Sequence, residues 1–155
     1  MKKLLLSTLV AISFVACDRD RAESVNQETL PSLVGTWKFS EFRVYDGNTD
    51  KILQSEGVDD CSVKSRIFFL NDGNVVAHTY SQNLQGECED LGEEKSTYKY
   101  NASAKTITIN DGKKIQTKNV IKLTNNEFEV VTGSEYDFNH DGVNDREATL
   151  LVRVK

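Results

Sequence analysis

The chain has 155 residues, about one domain's worth, with 19 Lys and Arg against 24 Asp and Glu and a net charge of −5. Phosphate backbones reward clustered bases, so an acidic chain with scattered cations argues against nucleic acid as a partner. A hydrophobic content of 38% with one Pro, together with many Thr, Val, Ile and Tyr, predicts a modest folded core rather than disorder.

Met1-Lys2-Lys3 is a positive leader, and residues 4–15 are apolar apart from Ser and Thr. Ala16-Cys17 closes the run with a small residue and a thiol. This is the pattern of a secretory signal, too short to span a bilayer comfortably. Phe14-Val15-Ala16-Cys17 resembles the lipobox of bacterial lipoproteins. The resemblance implies cleavage of residues 1–16 and a diacylglycerol on the Cys17 thiol; the alternative is an ordinary signal peptide with an incidental Cys. Residues 18–31 are polar and charged without apolar periodicity, so 17–31 read as a lipidated Cys and flexible tether. One globular domain follows over 32–155.

From Gly35 onward the apolar period is two. Runs rich in β-branched and aromatic residues occupy 36–45, 63–70, 74–80, 96–100, 105–110, 113–123, 127–132 and 146–154. Asn71-Asp72-Gly73-Asn74 and Asn110-Asp111-Gly112-Lys113 are hairpin signals, because Asn, Asp and Gly tolerate positive φ. Short links also occur at Asn101 to Ala104 and Thr124 to Asn126, which predicts an antiparallel meander. In the run 113–123, Ile115, Thr117, Asn119, Ile121 and Leu123 alternate with Lys114, Gln116, Lys118 and Lys122, which assigns Thr117 and Asn119 to the inward face. Parity switches between Phe39 and Phe42, as a bulge near Ser40-Glu41 would produce. Eight meandering strands can close as a barrel or stack as a sandwich; nearest-neighbour turns favour the barrel.

Leu33-Val34-Gly35-Thr36-Trp37, before the first long run, is similar to the Gly-x-Trp signature of lipocalins and of the small lipocalin-like lipoproteins of Gram-negative bacteria. The resemblance implies an all-β, eight-stranded antiparallel up-and-down barrel over 32–155. It implies a Trp that plugs the closed end under a basic side chain from the last strand, which makes Gly35, Trp37 and Arg153 the closed-end residues. With the lipobox it also implies a lipoprotein of the cell envelope, at the outer membrane.

Such an interior is filled by side chains or holds one small ligand. Phe39, Phe69, Thr117 and Asn119 are the candidate cavity residues. The expected function is binding of a small, partly apolar molecule. The alternative is a structural or protein-interaction module of the envelope, with a solid barrel whose loops touch another protein. The meander places three long loops at one end, and acids cluster there from Asp46 to Asp60, from Glu87 to Glu94 and from Glu135 to Asp145. They read as a solvated surface or as an attraction for a cation.

With Cys17 acylated, Cys61 and Cys88 remain as an even pair in an oxidising compartment and read as a disulfide staple. Asp137-Phe138-Asn139-His140-Asp141-Gly142-Val143-Asn144-Asp145 looks like a calcium loop. Asp137, Asn139 and Asp141 stand at alternate places, Val143 follows Gly142 to offer its carbonyl, and Asp145 stands at the ninth position. Ala148 stands at the twelfth, where an EF-hand carries Glu, so the expectation is a weak structural calcium site and no other cofactor. The alternative is a polar turn in which Asn, Asp and Gly serve geometry alone. No phosphate loop, nucleophile elbow or His-Glu-x-x-His is present, and neither His78 nor His140 has the surroundings of a base, so an enzyme is not expected.

Overall fold

Turn residues and period-two patterning divide residues 31–155, the part of the chain that the computed structural model describes, into strands. They are β1 (Gly35–Tyr45), β2 (Ile52–Gly57), β3 (Arg66–Phe69), β4 (Asn74–Gln82), β5 (Cys88–Asn101), β6 (Thr106–Asn110), β7 (Ile115–Leu123), β8 (Glu127–Gly133) and β9 (Arg146–Arg153). A single 3-10 turn, Ser62–Lys64, joins them among the described residues. The expected signal, Cys17 and nearly all of the tether lie outside the described residues.

All pairings are antiparallel, and β1 pairing with β9 closes the sheet. Strand β1 meets β9 along its length, from Trp37 opposite Arg153 to Tyr45 opposite Arg146. On its other side it pairs with β3 over Gly35–Trp37 and with β2 over Glu41–Tyr45. Strands β2 and β3 are therefore two halves of one barrel strand, interrupted by 58–65, and the closed barrel has eight strand positions. A bulge in β1 between Phe39 and Glu41 lets Phe39 and Phe42 lie on the same face.

Three departures from the sequence reading have local causes. The run 63–70 begins with the 3-10 turn, and the strand proper starts at Arg66, since the Ser62–Lys64 turn is capped by Asp59, whose carboxylate accepts the N–H groups of Cys61 and Ser62. The run 96–100 is only the end of the 14-residue β5, whose first half carries Glu89, Asp90, Glu93 and Glu94. Charged side chains on an exposed strand look like loop composition, yet they pair with β4 as far as Gln82 opposite Cys88. The link from β4 to β5 is accordingly a tight turn, with Asn83 N–H donating to the Glu87 carbonyl, so that end of the barrel has fewer long loops than expected.

The third departure is one of phase. On β7, Gln116, Lys118 and Val120 turn toward the barrel axis, while Ile115, Thr117 and Asn119 are exposed, Ile115 at 71%. Thr117 and Asn119 are thus corrected from cavity residues to surface residues. The cause is a bulge at Ile121: Val120 pairs with Val130 and Lys122 with Glu129, so Val120 and Leu123 both reach the interior. Alternation read back from Leu123 without that bulge inverts every residue before it.

Leu33, Trp37, Phe69, Val75, Ile107, Val120, Phe128 and Leu151 form the buried core. Phe69 packs edge-on against Tyr98 and Phe128, and Phe128 against Trp37, with ring centroids 4.9 to 5.9 Å apart. The core sits at the end where β1 and β9 begin and end. The rest of the interior is left to the cavity.

Candidate functional site

The closed end is built by the chain that leads into β1. Trp37 is fully buried, and its indole N–H donates to the Leu33 carbonyl at 2.8 Å. The Arg153 guanidinium lies over the indole, 4.2 Å from the ring centre, and donates to the carbonyls of Ser32, Val34 and Asn125. Gly35 has φ +139°, and a Cβ there would overlap the Arg153 guanidinium. A side chain at position 35 would therefore cost both backbone strain and the lid over Trp37. Gly35, Trp37 and Arg153 act as one plug.

Above the plug lies a cavity of about 430 Å³. Its walls are Phe39 from β1, Ile67 and Phe69 from β3, Val75 and Ala77 from β4, Ile107 and Ile109 from β6, Phe128 and Val130 from β8 and Leu151 from β9. Among the expected cavity residues, Phe39 and Phe69 line it. The polar lining comes from Ser96, Gln116, Lys118, Thr132 and Thr149, with Glu94, Asp111 and Lys114 at the rim. The volume falls in the lower part of the range of about 300–1,000 Å³ that small-molecule pockets occupy. Thr149, 4% exposed, is the most buried of the polar lining residues.

The wall is discontinuous on two sides. The β7–β8 register stops at Val120 opposite Val130. Beyond it, Lys118 Nζ donates to the Thr132 carbonyl at 2.7 Å, a side chain standing where a ladder bond would be. On the other side β2 does not pair with β4. Segment 58–65 fills that place, held by the Cys61–Cys88 disulfide and by the Tyr80 N–H donating to the buried Ser65 hydroxyl. With its cysteines 27 positions apart in sequence, the bridge contributes about 3.5 kcal/mol in the chain-entropy account.

On the face of β1, β8 and β9 turned away from the cavity, Glu129 is buried and accepts from the Tyr45 hydroxyl at 2.7 Å. Arg43 reaches Glu129 at 3.3 Å and Glu41 at 2.7 Å. Burial would lower the Arg43 pKa, but hydrogen bonds to Glu41 and Tyr45 and the Glu129 charge hold it above its ordinary value. Burial and the bond to Glu129 raise that of Tyr45. These groups satisfy one another, which is the arrangement of a structural network.

In the 134–145 loop the Asp137 carboxylate accepts the N–H groups of Gly142 and Asp141, which holds its pKa below the usual range. Asp141 accepts from the Val143 N–H and from the amides of Asn48 and Asn139. Asp145 differs from both. It is fully buried, and its two oxygens accept the N–H groups of Gly47 and Phe138 at 2.8 Å. It ties this loop to the β1–β2 loop instead of facing the other acids, which corrects its expected place among the metal ligands. Among the described residues no three His, Cys, Asp or Glu side chains converge on a common point for a metal ion.

Sequence reasoning missed Gln116, Lys118 and Thr149. The first two were lost to the inverted phase of β7, and the signal that finds them is Val120, the one β7 side chain that must reach the core. Thr149 was lost because β9 buries both of its faces, Ala148 and Leu150 on one and Thr149 and Leu151 on the other, so alternation carries no contrast there.

Comparison with family models matches residues 33–130 to the lipocalin-like domain. No curated protein matches the chain.

Proposed function

Because the chain belongs to the lipocalin-like domain family, we propose that it is a lipid-anchored barrel of the cell envelope that binds one small, partly apolar molecule. The observation that carries the reading is the 430 Å³ cavity, walled by aromatic and aliphatic side chains and lined by a few polar groups. That combination is what a small-molecule site presents: apolar area for affinity and a few placed polar groups for orientation. Anchoring through Cys17 at the outer membrane is supported by the apolar leader that ends in Ala16-Cys17.

Nile red, whose emission reports an apolar environment, tests the first part. It is expected to bind the folded mature protein and to be displaced by a lipid extract of the envelope. A folded barrel that binds no dye would favour the alternative, a structural or protein-interaction module. For the anchor, Cys17→Ala is expected to abolish metabolic labelling by fatty acid and to release the protein from the membrane fraction.

Calcium is a separate proposal, confined to Asp137, Asn139, Asp141 and the Val143 carbonyl. It is supported by their spacing and by the curl of the turn about Asp137. An ion there would have to draw Asp141 away from the amides of Asn48 and Asn139.

A further inference from the structure

We propose that the free edge of β5 is a docking site for an extended, cation-rich segment of another protein, which pairs with residues 92–96 as an added strand. The inference concerns the wall of the barrel and does not depend on what the cavity holds.

Strand β5 meets β6 only from Thr97 to Asn101. There β6 ends, at Asn110 opposite Thr97, and a turn closed by the Asp111 N–H on the Lys114 carbonyl sends the chain back. From Cys88 to Ser96 the strand has β4 on one side and, among the described residues, no strand on the other. Every second residue of an antiparallel strand directs its N–H and C=O to the same edge, so this stretch presents a row of backbone donors and acceptors. Tyr80 pairs with Asp90 and Thr79 with Gly92, which leaves Leu91 as a bulge. The regular part of the edge therefore runs from Gly92 to Ser96, long enough to take a short strand.

Charge decides the occupant. Residues 88–96 carry Glu89, Asp90, Glu93 and Glu94 against Lys95, all exposed. Asp90 bonds His78, whereas Glu89, Glu93 and Glu94 form no ion pair among the described residues. Two copies of this edge laid together set these carboxylates against one another, which disfavours a second molecule of the same chain. A strand bearing Lys or Arg meets the reverse condition: main-chain hydrogen bonds supply the pairing and the acids select the sign. Leu91, 55% exposed, and Leu84, fully exposed in the turn at the tip of the same hairpin, add apolar contact. The hairpin is held in advance, since the Cys61–Cys88 bridge and the Tyr80 N–H on the Ser65 hydroxyl pin it to segment 58–65. That restraint reduces the ordering cost a partner meets on docking.

The test titrates a fluorescein-labelled peptide of eight residues, Lys alternating with Val, into the mature protein and follows anisotropy, while amide hydrogen exchange locates the contact. Binding is expected with a dissociation constant on the order of 10⁻⁵ to 10⁻⁴ M, since a short free peptide must be ordered as it docks. Exchange is expected to slow in residues 88–96 and to stay unchanged in β8. N-methylation of the four central peptide residues keeps the charge and removes the N–H donors, and is expected to weaken binding at least tenfold. Glu89→Lys with Glu93→Lys is expected to weaken it about tenfold, while Glu135→Lys, in the 134–145 loop, leaves it within about twofold of wild type. Equal binding of the N-methylated peptide would show that charge alone attracts it and would overturn the inference. So would the absence of binding to a folded sample up to about 1 mM peptide. Slowed exchange in 88–96 through self-association of the protein alone would give the edge to a second copy and overturn it as well.

Discussion

Arg153 covers Trp37 at 4.2 Å and at the same time bonds the carbonyls of Ser32 and Val34, so one side chain fixes both the plug and the chain leading into it. Cation–π attraction in a partly desolvated site and hydrogen bonds to neutral carbonyls each contribute on the order of 1–2 kcal/mol. Arg153→Met is expected to destabilise the domain by about 2–4 kcal/mol and to shift Trp37 emission toward that of an exposed indole. Urea unfolding followed by fluorescence measures both. A loss below about 0.5 kcal/mol would show that the plug holds without its cover.

The phase of β7 has its own test. Ile109 lines the cavity, whereas Thr117 faces solvent. Ile109→Trp is expected to fill the cavity and abolish dye binding, while Thr117→Trp leaves it unchanged. The reverse pattern would restore the alternation in which Thr117 and Asn119 point inward.

Asp145 joins two loops through the N–H groups of Gly47 and Phe138. Its removal leaves two donors without an acceptor in a buried place, so Asp145→Ala is expected to cost about 2–4 kcal/mol. The loss should be the same with millimolar calcium and with chelator. A loss that appears only when calcium is supplied would assign Asp145 to a metal after all.

Acid stability follows from the turns. Hydrogen bonds from the backbone of Asn48, Asn74, Gly92, Lys114 and Gly142 lower the pKa values of Asp46, Asp72, Asp90, Asp111 and Asp137. Asp59, held mainly by the Ser62 hydroxyl, is lowered as well. A carboxylate with a depressed folded pKa contributes its full stability above the unfolded value of about 3.9 and loses it as the pH falls through the folded value. The melting temperature is therefore expected to be level from neutrality to about pH 5 and to drop below about pH 4. A decline that begins well above pH 5 would show that groups other than these six carboxylates set the dependence.

What the sequence made legible follows from how many independent signals met at each place. Hairpins at Gly73 and Gly112, the parity switch at Ser40 and the Gly-x-Trp segment together specified an antiparallel barrel, because turn chemistry and side-chain period are local properties. The Cys61–Cys88 pairing was readable for the same reason, from the hairpin that brings the two near. Strand β2 and the first half of β5 were not, since Gln54-Ser55-Glu56 and Glu89-Asp90 owe their conformation to a neighbouring strand rather than to their own composition. The site suffered most. One bulge at Ile121 depends on how β7 meets β8, and it exchanged Thr117 and Asn119 for Gln116 and Lys118.

The two places where the wall lacks a ladder, between β7 and β8 and between β2 and β4, lie in the same half of the barrel. In a fully laddered barrel, strand number and stagger fix the circumference from one end to the other. Here that constraint applies only near Trp37. In the open half the spacing is set by side chains instead, like the ends of a split collar, by the Lys118–Thr132 contact on one side and the Cys61–Cys88 bridge on the other. The geometry of the base, where Arg153 covers Trp37, is thus set independently of the spacing at the rim.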